Sequence, residues 1–288
     1  LTRRFFLLAL VGVPLLAFPL PALAWGPSGH EVIARLAQDH LSPNAKRSVK
    51  AILGPKKSLL TEANWADIVT RKPPKNKPWY KDYSHTKPWH YINLPVRESL
   101  LLSDFPRYCP KDRCVVRQVS LQLQVLRDPD LPDRQKRDAL RFLIHLVGDI
   151  HMPLHCADDG DEGGNKTKVT FQGEKTNLHT LYDRLLYLKN PSDTRAIAKR
   201  LEEDWRPFER RSWANGTPEE WALESFLVAR KKIYQDYWDR LRTAEKGVVP
   251  LPKDYANRMR PIVDQQLSKA AVRLAGLLNE VFEEVDRR

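Results

Sequence analysis

The stretch PDRQKRDALRFLIHLVGDIHMPLH, residues 132–155, decides the fold. It reads as a long central helix starting at Pro132 or Asp133, apolar enough for a core. Yet residues 145–155, HLVGDIHMPLH, carry His145, Asp149, His151 and His155. Burying such groups without partners costs on the order of a few kcal/mol each. Something must satisfy them, and a metal ion is the first candidate.

Helical periodicity continues on both sides. HEVIARLAQDHL places Val32, Ile33, Leu36 and Ala37 on one face, and NAKRSVKAIL stops at Gly54-Pro55. TEANWADIVT is a third helical pattern, followed by the proline-rich basic loop KPPKNKP. CVVRQVSLQLQVLRD precedes the central helix. NLHTLYDRLLYL follows it, with Asn177 as N-cap. TPEEWALESFLVARKKIYQDYWDRL takes Thr217 as cap and Pro218 as first helical residue. The last pattern, YANRMRPIVDQQLSKAAVRLAGLLNEVFEEV, is expected to kink at Pro261. Only WHYINLP and KTKVTFQG resemble strands. No internal repeat and no linker divides the pattern, so the expectation is one all-α domain.

The 288 residues are 29% charged and 42% apolar, which describes a globular chain long enough for a full core. The first 24 read separately: a basic LTRR, an apolar FFLLALVGVPLLAFPL and small residues in PALA before Trp25 describe a secretory signal peptide. An uncleaved anchor is the other reading, opposed by Pro14, Pro19 and the short apolar run. The mature domain would span residues 25–288, secreted or periplasmic, with no membrane-spanning segment left. Losing Arg3 and Arg4 takes the net charge from +12 to +10. That surplus favours an anionic partner such as nucleic acid, phospholipid or cell wall. In an exported protein, CPKDRC reads as a surface loop closed by a Cys109–Cys114 disulfide. Cys156 remains, either as a buried inert thiol or as a soft ligand beside a metal.

Histidine and aspartate recur at fixed spacing. His145 and Asp149 are four apart on the central helix, and His179 and Asp183 repeat the spacing. Such a pair suits zinc, which takes about four N, O or S ligands, although a solvated or capping pair has the same spacing. His155 lies past Pro153, where the helix should bend and bring it back towards Asp149. His151 falls on the far face and is not expected to ligate.

Set in order, these motifs resemble the S1/P1 nuclease family of zinc-dependent, single-strand-specific nucleases. Trp25 and His30 in WGPSGH match its N-terminal pair, and Trp65-Ala66-Asp67 matches its W-A-D. His90-Tyr91 matches a histidine followed by an aromatic, and His145, Asp149 and His155 match H-x3-D-x5-H ending in P-L-H. Gly163 to Asn165 match a glycine pair with asparagine, and His179 with Asp183 match H-x3-D. The resemblance spans Trp25 to at least Leu186. The wording of WHYINLP and the short cysteine loop suggest a bacterial member.

The resemblance implies a mainly helical domain of the phospholipase C/P1 nuclease type, with three Zn2+ ions in a cleft between helices. Asp67, His90, His145 and Asp149 would hold one ion, and His155, His179 and Asp183 a second. The third would take His30, Asp149 as a bridge, and the amino nitrogen and carbonyl oxygen of Trp25. That amine is free only after cleavage before Trp25, so export would complete the site. The substrate would be single-stranded DNA or RNA, cut endonucleolytically to 5′-phosphate products, or a nucleotide acted on as by a 3′-nucleotidase, by a monomer with no stable protein partner. Tyr91 would stack a base and Asn93, where the family has aspartate, would bond its edge. The family's basic residue three positions after the W-A-D aspartate is Thr70 here; Arg71 is the substitute for transition-state charge, or else a solvated helix-end residue. Zinc-dependent phospholipase C shares the architecture but ends its ligands with H-x3-E. A zinc protein that binds polyanions without cutting them is the third possibility.

Overall fold

Helix α6 (Asp133–Ile150) is the centre of the molecule. The computed structural model describes residues 25–70, 83–185, 193–242, 244 and 247–286. The expected signal peptide and Arg71 lie outside the described residues. From Ala139 onward α6 is buried almost all round, against α1 (Gly26–Asp39), α2 (Pro43–Leu53), α4 (Trp65–Thr70), α5 (Val115–Arg127) and α12 (Tyr255–Asp286). A helix enclosed on every side must bury its polar residues too. This is how His145 and Asp149 come to be fully enclosed.

Local chemistry sets the helix ends. Ser42 accepts from the Ala45 amide ahead of α2, which stops at Gly54 with φ 100°. Thr217 and Glu220 form a capping box at α10 (Pro218–Val228), with Pro218 in its first turn. The pattern of α10 continues through a π-helical turn, Ala229–Tyr234, into α11 (Gln235–Leu241). Helix α12 runs through Pro261 as one element. Two helices beyond the sequence expectation, α8 (Thr194–Glu203) and α9 (Pro207–Trp213), pack on α12.

Two expectations need correction. TEANWADIVT is two helices, α3 (Leu59–Glu62) and α4, with the chain turning at Ala63–Asn64. The turn sets the Ala63 carbonyl to accept from His145. WHYINLP is not a strand. It is the end of a 3-10 helix, Ser84–His90, followed by extended chain and an isolated bridge between Pro95 and Asp158. Pro88 and Pro95 carry no N–H for a ladder, and the segment bonds instead to the chain leaving α6: Ile92 donates to His155 and Asp158 to Leu94.

KTKVTFQG does form a strand, β1 (Lys168–Phe171). It pairs antiparallel with β2 (Glu174–Asn177) across Gln172–Gly173, both at positive φ, and parallel with β3 (Val249–Pro250). The order is β2-β1-β3. Asn177 at the end of β2 caps α7 (Leu178–Thr180), its side chain accepting from Thr180 at 2.7 Å. The sheet therefore fixes the start of the helix that carries His179. Among the described residues one continuous hydrophobic core joins these elements, and no helix is long and apolar enough to cross a membrane.

Candidate metal centre

Four elements bring their polar residues to one buried place. His145 and Asp149 stand one turn apart on α6, Nε2 to Oδ2 3.5 Å. From α4, Asp67 Oδ1 lies 3.3 Å from His145 Nε2. His90, the last residue of its 3-10 helix, places Nδ1 2.9 Å from Asp149 Oδ2 and 3.7 Å from Asp67 Oδ1. From α1, His30 reaches Asp149 Oδ1 at 3.4 Å and stacks on His145 with centroids 3.7 Å apart. Donor atoms of His30, His145 and Asp149, and of Asp67, His90 and His145, form two groups each within 4.8 Å.

The bend after α6 works as Pro153 requires. The helix ends at Ile150, a 3-10 turn spans Pro153–His155, and His155 Nδ1 returns to 3.6 Å from Asp149 Oδ1. The ring of His155 stacks on His179 at 5.1 Å, and His179 Nε2 faces Asp183 Oδ2 at 3.6 Å. These three sit together more loosely than the first two groups.

Hydrogen bonding fixes which nitrogen each ring offers. His145 donates from Nδ1 to the carbonyl of Ala63 at 2.8 Å, His155 to His90 at 2.7 Å and His179 to Gly163 at 2.6 Å. A carbonyl only accepts, so each neutral ring keeps its proton on Nδ1 and leaves Nε2 bare. Buried without hydrogen-bond partners among the described residues are His145 Nε2, both nitrogens of His30 and Asp149 Oδ1. Bare nitrogens beside carboxylates repel unless a proton or a metal cation lies between them. The donor set is imidazole and carboxylate, which fits zinc. The structure therefore supports buried His/Asp metal sites.

The backbone makes room for this. A Cβ on Gly148 would come within 2.7 Å of His30 Nδ1, so glycine lets α1 approach α6 here. At Gly163, φ 61°, a Cβ would lie 2.3 Å from the Leu154 carbonyl oxygen. Glycine there allows the tight loop whose carbonyl orients His179.

Electrostatics divide the histidines. Burial, then the charge of His145, hold His30 at about 4 against the pull of Asp149. Burial and His155 hold His179 at about 3, and burial lowers His155 as well. His145 goes the other way: burial is its largest influence, but Asp149 and Asp67 together outweigh it and raise it to about 9. Burial would raise Asp149, yet the charge of His145 and the rings of His30 and His90 beside it hold it well below the usual carboxylate range.

The other residues singled out in the sequence fall as follows. Trp25 is buried at the start of α1 and donates from its indole to the Gly148 carbonyl at 2.9 Å, which pins it one residue from Asp149. Tyr91 is half-buried and Asn93 exposed, alternating with buried Ile92 and Leu94 along the extended chain directly after His90. Thr70 lies against His90 Nε2 at 3.2 Å. His151 faces away: it donates to Val147 and lies 2.8 Å from the buried Arg273. Cys109 and Cys114 are disulfide-bonded. Cys156 is buried, donates to the Ile150 carbonyl, and burial pushes its thiol up, as for an inert thiol. Trp221 is core, while Trp205 and Trp238 pack half-buried against it.

Sequence reasoning did not find the partners that orient the rings, the carbonyls of Ala63, His90 and Gly163 and the hydroxyl of Thr70. Backbone acceptors leave no residue signature. Gly148 was the one available signal, as a glycine inside a long helix directly before an aspartate.

Comparison with known proteins agrees with this geometry. The chain is 30% identical to Endonuclease 4 of Arabidopsis thaliana over 91% of its own length and 90% of the relative's. It is 28% identical to Nuclease P1 of Penicillium citrinum, over 89% and 97% of the two chains. With Nuclease S1 of Aspergillus oryzae it shares 26% identity over 88% and 91%. These relatives are plant and fungal, so they lend no support to a specifically bacterial type. The family profile described as S1/P1 Nuclease matches residues 25–283. The protein belongs to the S1/P1 nuclease family.

Proposed function

We propose that the chain is an exported, monomeric, zinc-dependent phosphodiesterase that cuts single-stranded DNA or RNA and leaves 5′-phosphates. The observation that carries this reading is the set of bare imidazole nitrogens turned onto Asp67, Asp149 and Asp183 beside the Tyr91–Asn93 edge. Zinc would be held by Asp67, His90, His145 and Asp149; by His155, His179 and Asp183; and by His30, Asp149 and the amino nitrogen and carbonyl oxygen of Trp25. Zinc in such sites lowers the pKa of water towards neutrality and offsets charge building on phosphate oxygens in an in-line displacement. In the reaction a water oxygen bonds to phosphorus, the P–O3′ bond breaks, and O3′ leaves as a hydroxyl after taking a proton.

The chain's own residues supply position. Asp149 lies on both faces of the cluster, within reach of His30 on one oxygen and His90 on the other. It is therefore the residue suited to join two ions. Tyr91, next to His90 and half-buried, gives a ring on which a splayed base can stack, worth ~1–3 kcal/mol. Bases in an intact duplex are not free to do so, which gives single-strand preference. Exposed Asn93 offers a donor and an acceptor to a base edge. Arg71 is the nearest basic residue in sequence for transition-state charge. The charge surplus and the disulfide suit an exported protein that meets polyanions.

The test compares substrates. Zinc-loaded protein starting at Trp25 should cut denatured DNA far faster than duplex DNA and leave phosphatidylcholine intact. Hydrolysis of phosphatidylcholine with nucleic acid untouched would replace the nuclease by a phospholipase C. Binding of denatured DNA with no cutting of either would leave a polyanion-binding protein.

A further inference from the structure

His90 is oriented unlike the other histidines of the cluster. His145, His155 and His179 each give Nδ1–H to a backbone carbonyl, and His145 and His179 present Nε2 to the carboxylates of Asp67 and Asp183. His90 presents Nδ1, at 2.9 Å from Asp149 and 3.7 Å from Asp67, and among the described residues its Nε2 meets the hydroxyl of Thr70 at 3.2 Å. Among the described residues no backbone carbonyl bonds that nitrogen. The side chain at position 70 does the work that carbonyls do for the other three rings.

Counting protons gives the direction of that contact. A hydroxyl has one proton. That of Thr86, which is fully buried, goes to the carbonyl of Tyr83 at 2.7 Å. That of Thr70 goes to the carbonyl of Ala66, also at 2.7 Å. These are the shortest contacts of the two groups, and a carbonyl can only accept. The 3.1 Å contact between the hydroxyls does not change this: with its own proton on Tyr83, Thr86 can only accept there. Thr70 Oγ1 therefore faces His90 as an acceptor, and the ring must donate from Nε2.

We infer that Thr70 is a positioning residue that holds His90 in its Nε2–H form, so that Nδ1 is the nitrogen turned to a metal ion shared with Asp67 and Asp149. The Ala66 carbonyl completes the device by taking the Thr70 proton, and Thr86, its own proton on the Tyr83 carbonyl, offers Thr70 no competing donor. The residue type matters. Lysine or arginine, the kind of residue that the family resemblance puts at this position, has donors only and could not accept from Nε2. Valine has nearly the shape of threonine and no oxygen. Serine keeps the oxygen. The inference rests on the metal reading of the site proposed above and assigns to residue 70 a role in holding a ligand, with no contact to substrate.

The experiment uses Thr70→Val and Thr70→Ser in otherwise unchanged protein starting at Trp25, with two readouts. Zinc binding is measured by equilibrium competition with a chelator. Thr70→Val should weaken one ion by ~10–100-fold, the usual loss when a ligand's hydrogen-bond partner is removed. Thr70→Ser should stay within about twofold of the parent. The tautomer of His90 is read in metal-free protein from long-range 1H–15N correlations at a pH where the ring is neutral. The parent and Thr70→Ser should give Nε2–H, and Thr70→Val a mixture of the two forms. A parent ring in the Nδ1–H form, or a Thr70→Val variant equal to the parent in both readouts, overturns the inference. A parent that takes up no zinc defeats the metal reading, and the tautomer measurement then still decides the role of Thr70.

Discussion

The rings of His30 and His145 stack 3.7 Å apart in the buried interface of α1 and α6. Two imidazolium ions could not share that position, and the two rings divide accordingly. His30 is held at about 4 and His145 at about 9. The metal-free cluster thus keeps one proton on His145 as a partial counter-charge for Asp67 and Asp149.

Zinc uptake should displace that proton. At pH 7 a ring with a value of about 9 is protonated in metal-free protein and must be bare to ligate. Calorimetric titration of zinc in buffers of different ionisation enthalpy should give about one proton released from this site. A heat that does not depend on the buffer would contradict the assignment. The linkage has a definite sign. His145 is raised above its ordinary 6.5, so its contribution to metal-free stability is complete below that value and fades as pH rises through about 9. Asp149 is depressed, so its contribution is present above its ordinary 3.8 and is lost in more acidic solution.

Asp149→Asn should abolish nuclease activity and lower zinc content together. The carboxylate faces His30 with one oxygen and His90 with the other, and an amide supplies only one good ligand atom. Full activity in this variant would remove Asp149 from the centre of the account.

Gly148→Ala tests the close approach of α1. The added methyl would meet His30 Nδ1 at 2.7 Å, and the ring or the helix must move. Overpacking of this kind costs ~1–3 kcal/mol. The expected outcome is a folded protein with activity reduced by ~10-fold or more and a lower zinc affinity. Unchanged activity would mean that the position of His30 is not critical.

Much of the arrangement was legible in the sequence because it depends on periodicity. A four-residue spacing on a helix places His145 over Asp149 whatever surrounds them, and a proline after such a helix turns His155 back. The caps at Asn177 and Thr217 were readable for the same local reason. The aromatic and β-branched composition of WHYINLP suits a strand, while Pro88 before it, Pro95 at its end and its bonding to residues 155–158 decide otherwise. Helices α8 and α9 carry local signals that sequence reasoning missed, the Asp193 cap and Pro207 in the first turn. The ring-orienting carbonyls depend on backbone direction, which leaves no mark on residue type. Thr70 was visible as a departure from the family pattern, but its contact with His90 appears only when α4 and the 3-10 helix are packed together.

His151→Leu separates structure from chemistry. This histidine lies two residues from Asp149 but turns to Arg273, a buried cation for which it is an acceptor. Losing that hydrogen bond to a charged group should cost ~1.5–3 kcal/mol. The melting temperature should fall while zinc content and activity at low temperature stay as in the parent. A loss of zinc without a loss of stability would make His151 part of the metal centre.

One extra residue before Trp25 should cripple otherwise mature protein. The indole bond to Gly148 anchors Trp25 beside Asp149, and an amine tied up in a peptide bond is a poor ligand. Equal activity with and without the extension would take the Trp25 amine off the ligand set.

The most direct test of the central claim is cleavage of denatured DNA by protein starting at Trp25, before chelation, after chelation and after return of zinc, with the ends of the products analysed. The account predicts cutting that stops with the chelator, returns with zinc and leaves 5′-phosphates. Cutting that survives complete removal of metal, or products ending in 3′-phosphate, would contradict it.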